Sequence, residues 1–142
     1  MELLSPPGDQ VLVEACARAA HEAIRAYEHA RKESRPSLPW EYAPVALRAA
    51  LRHVVPAVLR GTTPRELHAQ MVEHLRAHGW TWGTVRDVAR REHPFILGWE
   101  ELPPESRAKD LLAARVMRAT AAALGYPVDH ADPEAAEPGA GA

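Results

Sequence analysis

Prolines and glycines divide this chain into segments, and between them apolar residues recur every three or four positions. That spacing places apolar side chains on one face of a helix. Proline is disfavoured in the interior of a helix, and glycine is favoured at its end. The pattern predicts four helices, over residues 11–32, 45–59, 64–77 and 104–124. The segment between the last two is predicted to be irregular or briefly extended, so we expect a small, mainly α-helical domain with short extended segments.

The third helix has the clearest predicted boundaries. Thr63, Pro64 and Glu66 form a capping-box sequence: the threonine caps the helix, the proline takes its first position, and the glutamate follows three residues after the cap. Gly79 is predicted to end this helix, and Gly125 to end the fourth.

The helical spacing also predicts which side chains reach the core. Cys16 falls on the apolar face of the first helix, where a lone cysteine acts as a small buried hydrophobe. Trp40 and Tyr42 lie in a proline-rich loop and are expected to hold it against the core, while Pro56 is expected to kink or end the second helix. The inward faces of the later helices are predicted to contain Leu47, Leu51, Val54, Val55, Leu67, Met71, Leu75, Leu112, Val116, Ala119 and Ala123.

The length and composition suit one domain with one hydrophobic core, since 46% of the 142 residues are apolar. Residues 1–128 are assigned to that domain, and residues 129–142, rich in alanine, proline, glycine and acidic groups, to a flexible tail. A net charge of −2 argues against binding to duplex DNA. No signal-peptide pattern or membrane-length apolar stretch of roughly 20 residues is visible, so we expect a cytoplasmic protein without membrane contact.

Residues 79–94 combine two tryptophans with three arginines in a segment too broken to be a helix. Large aromatic rings beside basic groups suit a ligand that is flat and anionic. Trp80 is the candidate platform for a nucleotide base, whereas Trp82 is expected to face the other side and to pack. The candidate phosphate ligands are Arg86, Arg90 and Arg91. The alternatives are that Trp80 fills the core beside the third helix and that the arginines form a solvated surface.

The sequence gives no positive indication of catalysis. His74 and His78 have the spacing of two metal ligands on a helix, but no third ligand accompanies them, and a solvated helix face is expected instead. We find no glycine-rich phosphate loop, nucleophile elbow or Ser/His/Asp set. We therefore expect a protein that is not an enzyme and that holds no metal or cofactor.

Several short motifs follow one another in a fixed order. In the second half they are Gly79-Trp80, Trp82-Gly83, Arg86-Asp87, His93-Pro94, Leu102-Pro103 and Leu124-Gly125-Tyr126. Together they resemble the RyR domain, the repeat of the ryanodine-receptor calcium-release channels. The motifs of the first half are His21-Glu22-Ala23, Pro39-Trp40-Glu41 and Ala43-Pro44. With them the whole chain resembles the stand-alone RyR-domain proteins of bacteria and phages, although Thr84 and Trp82 replace the family's usual proline and tyrosine.

The resemblance implies a mainly α-helical fold, with the repeat over residues 63–127 and a helical N-terminal extension over residues 9–62. In the channels, paired repeats face each other across a cleft that accepts an adenine nucleotide, flanked by a tryptophan from each repeat. Trp80 is the matching tryptophan here. In prokaryotes, RyR domains accompany defence and phage-conflict genes and are proposed to sense nucleotide-derived signals.

The expected function is therefore non-enzymatic binding or sensing of an adenine-containing nucleotide or a derivative. The alternative is a protein–protein interaction module that uses the same loop without a small molecule. Since the chain holds one repeat, a homodimer is expected to supply the second wall of the cleft. Trp40 and Tyr42 are the candidates to supply that wall within one chain.

Overall fold

Four helices make up most of the computed structural model, which describes residues 8–128. They are α1 (Gly8–Ala30), α2 (Val45–Leu59), α3 (Pro64–Ala77) and α4 (Pro104–Ala123). Two short strands, β1 (Thr81–Trp82) and β2 (Glu92–His93), pair in parallel, and 3-10 turns form at Trp40–Tyr42 and Trp99–Glu101. The predicted mainly α fold is confirmed. The predicted tail, residues 129–142, lies outside the described residues.

The helix boundaries follow the local signals in the sequence. α2 and α3 have their predicted bounds, and α3 begins with Pro64 behind the cap Thr63, whose Oγ1 accepts the Glu66 N–H at 3.2 Å. In a capping box the glutamate carboxylate accepts the backbone N–H of the cap residue. Here the Glu66 carboxylate accepts a hydrogen bond from the Thr63 hydroxyl. Pro56 does not end α2, which continues to Leu59.

The core forms where α1, α2 and α4 meet, and α4 packs chiefly against α1. Its buried members are Leu12, Cys16, Ala17, Ala20, Trp40, Val55, Val58, Leu59, Ala113, Ala114, Met117 and Ala121. Cys16 is buried as predicted, and its thiol donates to the Met117 carbonyl at 3.3 Å. The N-terminal helices thus share one core with the last helix of the predicted repeat. No helix among residues 8–128 is long and apolar enough to cross a membrane.

Two of the predicted inward faces were only partly correct. Leu67 of α3 packs against the core as predicted, and Leu112 and Val116 of α4 are partly buried, but other predicted residues are exposed. In α3 the buried residues are Pro64, His68 and Val72, whereas the predicted Met71 is 37% exposed. In α4 the predicted Ala119 and Ala123 are exposed, and the buried face contains Ala113, Ala114, Met117 and Ala121. Alanines occur on every side of α4, so the periodicity of apolar residues alone does not predict which face is buried. The packing of α4 against α1 determines that face. Leu47, at the start of α2, is also exposed.

The proline-rich loop after α1 is held by one of its two aromatic residues. Trp40 is buried: its backbone N–H donates to Glu22 Oε2 at 3.0 Å, and its indole Nε1 donates to Glu14 Oε1 at 2.9 Å. His21 adds a second attachment, since its Nε2 lies 2.6 Å from the Leu38 carbonyl oxygen. Tyr42 is 75% exposed, so the expectation that it packs against the core was wrong.

Candidate functional site

The end of α3 fixes the position of Trp80. Gly79 has a φ of +84°, a left-handed conformation that ends the helix and turns the chain back on it. The Gly79 N–H donates to the Arg76 carbonyl, and the Trp80 N–H donates to the Leu75 carbonyl, each at 3.0 Å. This pair of bonds is a Schellman motif, which satisfies two carbonyls at the helix end. Trp80 therefore starts the loop in direct contact with the last turn of α3.

Arg91 closes the loop onto the same helix end. Its guanidinium Nη1 donates to the His78 carbonyl at 3.1 Å, and its own carbonyl accepts the Thr81 N–H at 2.8 Å. A cation at this position also interacts favourably with the partial negative charge of a helix C-terminus. Arg91 thus has a structural role at the end of α3.

The two strands bring the ends of the loop together. Thr81 pairs with Glu92 and Trp82 pairs with His93. Gly83 follows at a point of close approach, because a Cβ atom there would lie 2.6 Å from the Glu92 Cβ. The segment between the strands is shaped by a turn.

Asp87 stabilises that turn. Its Oδ1 accepts the Arg90 N–H at 3.0 Å, and its backbone forms an antiparallel bridge with Glu92. The side chain of Asp87 thus caps this turn.

Trp80 and Trp82 line the same cleft, which has a volume of about 410 Å³. The remaining lining residues are Arg76, Gly79, Thr81 and Ile96, and we refer to this site as the tryptophan cleft. Trp80 is half-buried, while Trp82 is 51% exposed, so the expectation that Trp82 packs on the other side was wrong. Residues two apart in an extended segment point to the same face, which explains why both indoles reach one cleft.

The His93 ring lies beside the Trp80 ring. The two rings are 6.5 Å apart in an edge arrangement, and the His93 Nδ1 accepts the Phe95 N–H at 3.0 Å. Burial lowers the pKa of His93, and the positive charge of Arg86 lowers it further. The lowered pKa favours the neutral imidazole, which keeps Nδ1 available as an acceptor.

The arginines that the sequence singled out do not line the tryptophan cleft. Arg86 and Arg90 are exposed outside it, and Arg91 is bound to the end of α3. The arginine that does line the cleft is Arg76, in the last turn of α3. Within residues 8–128 its side chain has no hydrogen bond or ion pair, so its guanidinium is available to a ligand. Arg76 was not predicted as a site residue, although its place one turn before Gly79 is visible in the sequence.

A second cleft, with a volume of about 460 Å³, runs along α3, and we refer to it as the α3 cleft. It is lined by Arg65, His68, Ala69, Val72, Glu73, Arg76, Leu97, Gly98 and Trp99. His68 is buried, its Nε2 donates to the Leu97 carbonyl at 2.7 Å, and its ring lies 6.1 Å from that of Trp99. This bond fixes residues 96–98 beside α3. None of these residues was predicted as part of a site.

Trp40 and Tyr42, the predicted second wall, line neither cleft. Trp40 is only 2% exposed and has no ring face free for a ligand, because it packs in the core under the Arg52 guanidinium, 5.3 Å from its ring centre. Tyr42 is free of the core but lies in the loop before α2. The walls of the tryptophan cleft come instead from the end of α3, β1 and Ile96.

No protein-family model and no solved structure matches this chain. The site is therefore defined by its own residues: a cleft with two tryptophans and one arginine that is unpaired within residues 8–128, beside a second cleft along α3.

Proposed function

We propose that this chain is a non-enzymatic, RyR-type ligand-binding domain whose tryptophan cleft binds an adenine-containing nucleotide or a derivative. The observation that carries the proposal is the grouping of two accessible indoles with the unpaired guanidinium of Arg76. The resemblance of the sequence motifs to the RyR domain supports the choice of an adenine nucleotide. It also supports a sensing role, in the cytoplasm, in a phage-conflict or defence setting.

The chemistry of these groups matches the two halves of a nucleotide. Stacking of a base on an aromatic side chain contributes about 1–3 kcal/mol. An arginine presents forked donors that bind phosphate oxygens through charge-assisted hydrogen bonds. The volume of about 410 Å³ also lies within the usual range of ligand pockets, roughly 300–1,000 Å³.

A thermal-shift measurement with AMP, ADP and ATP tests this proposal. A ligand that binds only the folded protein raises the melting temperature. Trp80→Ala should remove the shift and leave the far-UV spectrum unchanged, and Trp80→Phe should retain part of it. Val45→Ala, at an exposed position outside both clefts, is the control that should keep the full shift.

Two outcomes would contradict the proposal. One is that no adenine nucleotide shifts the melting temperature of the wild type. The other is that both Trp80→Ala and Trp82→Ala fold normally and still give the full shift. If Trp80→Ala unfolds the protein, Trp80 is a core residue, and the more exposed Trp82 then tests the cleft.

A separate observation favours protein binding as the second candidate function. Val85 and Val88 are mostly exposed and lie in the same loop as the exposed Trp82. Apolar side chains grouped on a surface are typical of an interaction site. The partner proposed here is a second copy of the chain, since twofold pairing is the commonest closed assembly. Light scattering at micromolar concentration should give a dimer mass that Val85→Ser with Val88→Ser reduces to the monomer.

A further inference from the structure

We propose that the tryptophan cleft and the α3 cleft form one groove, and that the ligand is a dinucleotide: two ring-bearing ends joined by a phosphate bridge. This inference rests on the proposed nucleotide binding and extends it to the class of nucleotide. It assigns the α3 cleft, which has no role above, as the site for the second end.

The two clefts are continuous. Arg76 lines both of them, and so marks the point where they meet. On the opposite side Ile96 lines the tryptophan cleft, while the next two residues, Leu97 and Gly98, line the α3 cleft. Both clefts are therefore bordered by α3 and by the segment of residues 96–98.

The groove is too long for a mononucleotide. Along α3 its lining includes Arg65, Ala69, Val72 and Arg76, which recur at three- and four-residue steps and so form one stripe. At 1.5 Å per residue, that stripe is about 16 Å long. The tryptophan cleft adds its own length beyond Arg76. A nucleotide with its base on Trp80 and its phosphates at Arg76 would leave the rest of the stripe, from Arg65 to Val72, unoccupied.

The charges of the groove place the phosphates at its centre. Arg76, at the junction, is unpaired within the described part of the chain. At the far end Arg65 forms an ion pair with Glu100, which offsets its charge. Glu73 also lines the α3 cleft, and its carboxylate would repel a terminal phosphate there while accepting hydrogen bonds from sugar hydroxyls or an amino group. A bridging phosphate with an uncharged second end fits this pattern, and a chain of terminal phosphates does not.

The α3 cleft can also accommodate the ring of the second end of the dinucleotide. Trp99 and His68 form its inner wall, and the His68–Leu97 hydrogen bond holds that wall in place. Ala69, on the α3 side of the cleft, is small and exposed, so its side chain takes up little of the cleft. A larger residue at position 69 would fill the cleft without changing the tryptophan cleft, which Ala69 does not line.

Calorimetric titration of the full chain with AMP and with P1,P2-di(adenosine-5′) pyrophosphate tests the inference. Engagement of a second, linked end should make the dinucleotide bind at least about tenfold more tightly than AMP. Ala69→Trp should reduce the ratio of the two affinities to about one. Gln70→Trp, one residue along the same helix and outside both clefts, should keep the wild-type ratio. Far-UV spectra and melting temperatures establish that both variants are folded.

The outcomes separate this inference from the function on which it rests. If AMP binds and the dinucleotide binds no more tightly, the two-ended ligand is overturned and nucleotide binding stands. A folded Ala69→Trp that keeps the tenfold preference also overturns it, because the second end then lies elsewhere. If neither compound binds the wild type, both proposals fail.

Discussion

The guanidinium of Arg91 donates a hydrogen bond to the carbonyl oxygen of His78, thirteen residues earlier in the chain, at 3.1 Å. This bond joins the segment of residues 79–94 to the end of α3, next to Gly79 of the tryptophan cleft. It also explains why an arginine that resembled a phosphate ligand in the sequence does not line that cleft. The Arg91 guanidinium instead caps the C-terminus of α3.

Removing this cap should destabilise the protein. We expect Arg91→Ala to lower the free energy of unfolding by about 1 kcal/mol, because one hydrogen bond and one favourable interaction with the helix end are lost. Arg90→Ala removes a nearby exposed side chain without that contact, and should change the free energy by less than about 0.5 kcal/mol. Urea denaturation measures both. Equal effects of the two variants would show that the Arg91 contact contributes nothing.

A methyl group at position 83 should disrupt the strand pairing. In Gly83→Ala the new Cβ would lie 2.6 Å from the Glu92 Cβ, so β1 and β2 would have to separate. We expect a loss of about 1–3 kcal/mol, the usual effect of overpacking. Gly98→Ala is the control, since its Cβ would meet only the flexible carboxylate end of Glu101. Equal denaturation midpoints for Gly83→Ala and the wild type would contradict the close approach.

The sequence predicted the fold well because the helix ends carry local signals. Thr63, Pro64 and Gly79 act through their own backbone and neighbouring residues, so their effect can be read without the tertiary structure. The buried face of α4 was harder to predict, because an alanine-rich helix offers several apolar faces. The choice among them depends on α1, which lies far away in the sequence.

The candidate site was predicted only in part. Trp80 reaches a cleft, as its loop position suggested, but Arg76 belongs to a helix and joins the site only because Gly79 reverses the chain beside it. Trp40 shows the opposite case. Its motif looked suited to a ligand wall, yet the buried contacts with Glu14 and Glu22 place it in the core. Such long-range pairings are not visible in local sequence patterns.

Residues 63–128 should not fold without the N-terminal helices. The buried face of α4, which includes Met117, packs against α1 residues such as Leu12 and Cys16. A fragment of residues 63–128 would expose that face. We expect it to show a broad, non-cooperative thermal transition by circular dichroism, whereas residues 8–128 unfold cooperatively. A cooperative transition of the shorter fragment would contradict the shared core.

The buried carboxylate of Glu28 should make the stability of the folded protein depend on pH in the acid range. Burial alone would raise the pKa of Glu28, but hydrogen bonds from the Ser37 N–H and Lys109 outweigh it and hold the pKa below its ordinary value of 4.5. A lowered folded-state pKa contributes stability that is complete above the ordinary value and is lost as the pH falls through the folded one.

Glu28→Gln provides the measurement. At pH 7 the variant should melt well below the wild type, and the difference should shrink as the pH falls below about 4. Glu105→Gln, in the first turn of α4, is a matched control whose difference from the wild type should stay small at every pH. A Glu28→Gln difference that is constant from pH 7 to pH 3 would show that the ionised form is not favoured in the folded protein.

The most direct test of nucleotide binding in the tryptophan cleft compares two arginines by titration calorimetry with AMP. Arg76 lines the cleft and has no partner within residues 8–128, whereas Arg86 lies outside it. Loss of a charge-assisted hydrogen bond corresponds to about 1.5–3 kcal/mol, so Arg76→Ala should weaken binding at least about tenfold. Arg86→Ala should change the dissociation constant by less than about twofold. The opposite ranking, or no binding of AMP to the wild type, would contradict the assignment.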